Sequence, residues 1–293
     1  MNLTSHISHY LSYLSIPSLT SCFYSYWAGR KVDQMVRLPE CTYTSLSLKA
    51  LESEDYTALS ARTIWDKAKS SSNINIYEDD PTKLERNNPG KGIDTAMSDT
   101  GFSKGIHILD IEWPTGMRGT HPVIGVALEG SPNQGIGYRN LLGGTESSWG
   151  WDIKSKELLH NGQIIGNYPE DKSNGSFDVP EKISCIIDMN AGVIGFKIGG
   201  KYLGDAFSGL KHKTVFLAVS VVRTSTAISV NYIKGSNTTL SLQDLSKLAI
   251  RKRVKFEEQI AQLPTAPPLK RFIADQEMTD ADGNDDNTDQ ENI

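Results

Sequence analysis

The sequence predicts an all-β fold, a sandwich or a barrel, with a small helical segment behind it. Three observations carry this expectation. Short apolar runs rich in Val, Ile, Phe, Tyr and Trp recur between residues 74 and 233, each of strand length. Gly, Pro, Asn or Asp separates most of them and no helical pattern intervenes, as expected where strands bury themselves against other strands. Beyond residue 240 the apolar period changes from that of a strand to that of a helix.

Four zones follow in chain order. Residues 1–74 are rich in Ser, Thr and Tyr and show only mixed short patterns, so they read as an N-terminal extension with no defined element. Their stretch SHISHYLSYLSIPSLTSCFYSYWAG lacks a basic start, and Ser, His, Tyr and Pro break its apolar residues, unlike a signal peptide. Residues 75–235 form the expected β domain. Its runs are INIYE (beginning at Ile74), HILDIEW, PVIGVAL, SWGWDI, ISCIIDM, VIGFKI, KYLGDAF, VFLAVSVV and AISVNYI. Asn190-Ala191-Gly192 and Gly199-Gly200 are the natural hairpin tips.

Residues 236–274 are helical in pattern. Leu242, Leu245, Ala249, Ile250 and Val254 fall on one helix face, and Ser241 with Asp244 starts it like a capping box. Thr265-Ala266-Pro267-Pro268 ends that pattern, and LKRFI follows as a short apolar hook. Residues 275–293 hold eight acids and no Lys or Arg, a tail that cannot bury enough apolar surface to fold alone. The net charge of −5 therefore comes from the tail; the rest of the chain carries +3 and offers no basic nucleic-acid surface. No apolar run reaches the ~18–20 residues that a membrane helix needs. The three cysteines, Cys22, Cys41 and Cys185, are odd in number and far apart, with no zinc spacing; a reducing compartment, cytoplasmic or nuclear, suits them.

Enzyme motifs fail on inspection. Gly195-Phe-Lys-Ile-Gly-Gly200-Lys201 nearly spells a phosphate loop, but Tyr202 stands where Ser or Thr should hold magnesium, so a β-hairpin is expected there. Residues 280–291 have acids at calcium-loop spacing but Asp285 where the turn needs Gly. No nucleophile elbow and no HExxH occur, and the histidines are scattered. The chain reads as a non-catalytic protein without cofactor or metal.

A resemblance sharpens this. Arg118-Gly-Thr-His-Pro-Val-Ile-Gly-Val126 and Glu146-Ser-Ser-Trp-Gly-Trp-Asp152 resemble the SPRY domain of the SPRY domain-containing SOCS box family. Gly101-Phe102 to Gly105-Ile-His107, Gly137-Tyr138 to Leu141-Leu142-Gly143, Leu159-His160-Asn161-Gly162, Asp188-Met189, Tyr202-Leu203-Gly204 and Gly209-Leu210-Lys211 continue the likeness in order. It implies a bent antiparallel β-sandwich of the SPRY/B30.2 kind, with a small α-helical SOCS box behind it. Ser241-Leu242-Gln-Asp-Leu-Ser246-Lys-Leu-Ala-Ile250 resembles the elongin-binding helix, with Ser246 where the family has Cys. Leu263-Pro264 through Leu269-Lys270-Arg-Phe272-Ile273 resembles the cullin-selecting element, with Thr265-Ala266 where a second Leu-Pro is usual.

The implied function is that of a substrate-recognition adaptor in a cullin-RING ubiquitin ligase, leading to degradation of a target. Its implied partners are elongin B/C, held through Leu242, Leu245, Ser246 and Ile250, and a cullin of the cullin-5 type, met by Leu263, Pro264 and Leu269. A short peptide of the target would meet Arg86, Thr120, Tyr138, Leu141, Val222 and Arg223. The family's Trp-Gly is here Arg223-Thr224, which implies a different peptide preference. Two alternatives share the sandwich. One is a SPRY interaction module without ligase recruitment. The other is an F-box/SPRY adaptor binding Skp1, suggested by Tyr10-Leu-Ser-Tyr-Leu14, Leu19 and Trp27.

Overall fold

The computed structural model describes residues 35–52, 62–87, 90, 92–137, 140–169 and 177–275. The chain divides into two compact units, one of Cys41–Ser246 and one joining Met1–Glu40 to Lys247–Ile293.

The larger unit is an antiparallel sandwich. Its first sheet runs in the order β1 (Trp65–Asp66), β4 (Gly92–Phe102), β14 (Val215–Val221), β6 (Val123–Ala127), β8 (Ser148–Asp152), β9 (Glu157–His160) and β10 (Gln163–Asn167), with β7 (Gln134–Ile136) also on β4. Its second sheet runs β13 (Lys201–Phe207), β12 (Val193–Ile198), β11 (Lys182–Asp188), β5 (Ile106–Glu112), β15 (Thr226–Ser236), β3 (Lys83–Arg86) and β2 (Ile74–Ile76).

Strand alternation sorts the apolar runs into layers. Ile124, Val126, Trp149, Trp151, Val215, Leu217 and Val219 from the first sheet meet Leu109, Ile111, Ile183, Cys185, Ile187 and Val230 from the second in the central core. Their neighbours Val123, Ala127, Phe216, Ala218 and Met97 face the other way, into a second cluster closed by Leu142 and Leu159. Both faces of the first sheet are therefore covered, which is why PVIGVAL and VFLAVSVV are unbroken apolar runs rather than alternating ones. Where β6 pairs with β8, the partner backbone leaves no room for a side chain: a Cβ on Gly125 would lie 1.9 Å from the Trp149 carbonyl oxygen.

The second sheet's outer face is covered by helix α1 (Tyr43–Glu52), whose Leu48 and Leu51 pack on Ile106, Ile108 and Ile186. This helix and β1 lie inside the stretch 1–74 that the sequence left without an element, so the folded unit reaches well before residue 75. Thr42 and Ser45 cap α1 reciprocally, each backbone N–H donating to the other's hydroxyl, at 2.9 and 3.0 Å. The near phosphate loop is the expected hairpin: Gly199 (φ 55°) and Gly200 (φ 83°) turn β12 into β13.

The smaller unit contains the chain's C-terminal helices. Helix α2 (Leu242–Arg251) begins at the capping Ser241, whose hydroxyl accepts from the Asp244 N–H at 3.1 Å, and it runs through the boundary between the units. Helices α3 (Glu257–Ala261) and α4 (Pro267–Ala274) follow. Leu38, Val254, Ile260 and Ile273 form this unit's apolar cluster, so the expected hook LKRFI is a helix anchored by Ile273. Val254 lies past the end of α2 rather than on its face.

His107 is buried on β5 between the Lys104 carbonyl (Nε2, 2.8 Å) and the Tyr232 hydroxyl (Nδ1, 3.0 Å). Burial pushes its pKa down, with the bond to the Lys104 carbonyl opposing. The unfolded chain therefore takes up this proton at a higher pH than the folded chain does, so His107 contributes stability above pH ~6.5 that is lost as pH falls below it. We expect the melting temperature of His107→Gln to change less between pH 7 and pH 5 than that of the parent; equal slopes by differential scanning calorimetry would refute this.

Candidate functional site

The peptide-contact positions do not all reach the surface. Arg86, at the end of β3, has no exposed area. Its Nε donates to Asp94 Oδ2 on β4 at 2.6 Å, and Nη1 donates to the Val222 carbonyl at 2.7 Å. Nη2 reaches the carbonyls of Gly90 and Gly92 at 3.4 and 3.3 Å. Asp94 is equally buried, and its other oxygen accepts from Ser71 Oγ (2.6 Å) and Asn73 Nδ2 (2.9 Å). The expectation that the Arg86 side chain touches a peptide is thus corrected. It is consumed inside, as a clamp between the two sheets and the loops beside them.

The other described positions lie on or beside the loops. Thr120 and Arg223 are exposed, Leu141 is half-buried and Val222 is nearly buried. Gly119 (φ 70°) lets the 115–120 turn pass close to the β14–β15 loop; a Cβ there would lie 2.9 Å from Arg223 Cβ and 3.2 Å from Val222 Cγ2. Arg223 Nη1 donates to the Gly116 carbonyl at 2.6 Å, and Thr226 Oγ1 to that of Met117 at 2.7 Å. Thr120, Val222 and Arg223 therefore share one rim. Leu141 stands further along, beside Gly135 on β7, which pairs with β4 at Ile93. Tyr138, like Asn88 and Pro89, lies outside the described residues.

Below this rim opens a cavity of about 520 Å³, lined by Gly116, Arg118, Lys154, Lys156, Asp178 and Arg223 among others. Arg118 is nearly buried. Its guanidinium donates to the carbonyls of Val179 (2.6 Å), Trp113 (3.0 Å) and Pro180 (2.5 Å), and burial lowers its pKa while Glu181 nearby opposes. Asp152 builds the turn that carries both lysines, accepting from the N–H groups of Lys154 (2.9 Å) and Ser155 (3.0 Å). Its burial raises its pKa, against those two bonds. The lysines were not singled out in the sequence. Their only signal there is the Lys-Ser-Lys spacing between two strand runs.

The second set of positions lies on the tail. On α2, Leu242 is 76% exposed and Ser246 is exposed, while Leu245 and Ile250 are half-buried. The buried face is a different one, made by Lys247, Leu248 and Arg251. Lys247 Nζ lies 2.5 Å from Asp275 Oδ1 and over the Phe272 ring at 4.6 Å, and Arg251 donates to the Ile273 carbonyl at 3.0 Å. Asp275, the first residue of the expected acidic tail, thus ends α4 in a left-handed cap; the tail beyond it lies outside the described residues. Among the cullin-contact positions Pro264 and Leu269 are exposed, whereas Leu263 leans on the apolar cluster.

Comparison with known proteins gives four results. The SPRY domain family profile matches residues 106–234. Protein gustavus of Drosophila melanogaster is 36% identical over 216 residues, covering 71% of this chain and 77% of that protein. SPRY domain-containing SOCS box protein 2 of Homo sapiens is 36% identical over 214 residues, covering 71% of this chain and 81% of that protein. A more limited likeness, 39% over 150 residues and about half of each chain (51%), joins it to F-box/SPRY domain-containing protein 1 of Danio rerio.

The Arg86 clamp makes a double-mutant prediction. Removing one partner of a buried ion pair costs about 3–5 kcal/mol, whereas an apolar pair of similar volume is near neutral. Arg86→Met should therefore lower urea-unfolding stability by about that amount, and adding Asp94→Leu should restore much of it. Additive losses would contradict the clamp.

Proposed function

Since this chain belongs to the family of SPRY domain-containing SOCS box proteins, we propose that it is the substrate-recognition adaptor of a cullin-RING ubiquitin ligase. The sandwich loops hold a short peptide of the target. Helix α2 docks on elongin C of the elongin B/C pair, and the α3–α4 region meets a cullin of the cullin-5 type. The chain itself catalyses nothing in this scheme; ubiquitin transfer belongs to other subunits and leads to proteasomal degradation of the target. Such an assembly works in the cytoplasm or nucleus, where the buried, unbridged Cys185 is at home.

The observation that carries the proposal is the free edge of α2. An amphipathic helix normally turns its leucines inward. Here Leu242 stands open with the half-buried Leu245 beside it, the arrangement a helix-in-groove contact uses, while Ile250 packs on the apolar cluster of Leu38, Val254, Ile260 and Ile273. Ser246 suits this contact better than its polarity suggests. Its hydroxyl already donates to the Leu242 carbonyl at 2.7 Å, so burial in a groove leaves no donor unpaired.

Co-expression with elongin B/C tests the proposal. Leu242→Asp should abolish co-purification by burying a charge in an apolar groove, while Arg223→Ala leaves it intact. Ser246→Cys should tighten elongin binding by a few-fold, roughly 1 kcal/mol, by replacing a hydroxyl with a small apolar thiol. Failure of the parent chain to retain elongin C would leave the interaction-module reading. Recovery of Skp1 would instead favour the F-box reading, whose suggested residues Tyr10–Leu14, Leu19 and Trp27 lie outside the described residues.

A further inference from the structure

We propose that the cavity between the Gly116–Gly119 turn, the β8–β9 turn and the β14–β15 loop is a subsite for an anionic side chain of the bound peptide, a carboxylate or a phosphate ester. This rests on the reading of the sandwich loops as the peptide-binding surface and adds the charge class of the ligand.

Four cations line or back the cavity: Arg118, Lys154, Lys156 and Arg223, against one lining acid, Asp178. None of the four has an ion-pair partner among the described residues. Three are instead held by neutral carbonyls, Lys154 by Gly119 at 3.1 Å, Arg223 by Gly116 at 2.6 Å and Arg118 by Val179 at 2.6 Å. Carbonyl bonds fix where these cations sit without neutralising them. Arg118, nearly buried in the cavity wall, in addition has a buried Nε without a hydrogen-bond partner.

Lys156 adds an independent sign. It occupies a left-handed backbone conformation, φ 65°, which glycine or asparagine adopts with less strain. The position nevertheless carries a long cation, whose ammonium lies over the Phe177 ring at 5.9 Å. A strained loop tip that carries a long cation beside a charged cavity points to a use for the side chain.

The experiment pans a phage-displayed random dodecapeptide library on the full chain. Enriched peptides should share an Asp or Glu at one fixed position, and their affinity should fall as ionic strength rises. Lys156→Gly relieves the backbone strain, so it should melt no lower than the parent yet bind the enriched peptides at least about tenfold more weakly, as should Arg223→Ala. Placing phosphoserine at the acidic position separates the two sources: tighter binding assigns the subsite to phosphate, weaker binding to carboxylate. Peptides that enrich without an acidic position, or whose affinity is unchanged in Lys156→Gly and Arg223→Ala, overturn the proposal while the peptide-binding reading stands. Enrichment of no peptide at all overturns both.

Discussion

The guanidinium of Arg86 and the carboxylate of Asp94 meet at 2.6 Å where neither touches solvent. Taking two charges out of water is expensive, and their attraction repays it only when every remaining donor and acceptor is also matched. That condition is met here by the surroundings. Carbonyls at Val222, Gly90 and Gly92 take the guanidinium, and Ser71 and Asn73 fill the carboxylate. These groups come from three separate stretches of chain, one holding Ser71 and Asn73, one holding Gly90 and Gly92, and one holding Val222. Correct pairing at one point therefore fixes the position of β3 in one sheet, β4 in the other, and the starts of three loops.

This placement gives the clamp a bearing on recognition without any contact to a ligand. Val222 is held by its carbonyl, and Arg223 and Thr224 follow it directly. Ser225 N–H donates to the Arg86 carbonyl at 2.8 Å, so both ends of the β14–β15 loop are tied to the same residue. The loop is short and its ends do not move independently. Arg223 then projects across the 115–120 turn and closes it through Gly116. The rim is thus tied on both sides of the β14–β15 loop to a buried ion pair, and on the proposed function this lowers the ordering cost of holding a peptide.

Much of the sandwich was legible because both sheets bury apolar runs that stand out against turn residues. The run VFLAVSVV is β14 almost to the residue, and the glycines of the β12–β13 turn announced themselves. The longest strand of the first sheet was not legible. β4 reads GIDTAMSDTGF, and its buried positions include Asp94 and Thr95, satisfied by Ser71 and Ser220, partners distant in sequence. No local pattern reveals such partners. The same blindness misplaced Arg86, since a charge at a strand end looks solvated until Asp94 is set beside it. Helix α1 was hidden for a milder reason: its Leu48 and Leu51 sit among Ser, Thr and Tyr, and only the sheet's outer face gives them meaning.

Helix α2 inverts the logic of the sandwich. It buries Lys247 and Arg251 and leaves Leu242 in solvent. The buried side is held by directional bonds: Lys247 to Asp275, and Arg251 to the Ile273 carbonyl and to the Pro39 carbonyl. Leucines packed on leucines tolerate a helix that rolls about its axis, because apolar contacts have no preferred direction. Bonds to a guanidinium and an ammonium do not, because rotation would strand the charges. The bonds of Lys247 and Arg251, flanking the buried Leu248, therefore fix which face of α2 turns inward. The polar residues at the back of α2 are thus the physical reason that Leu242 stays exposed.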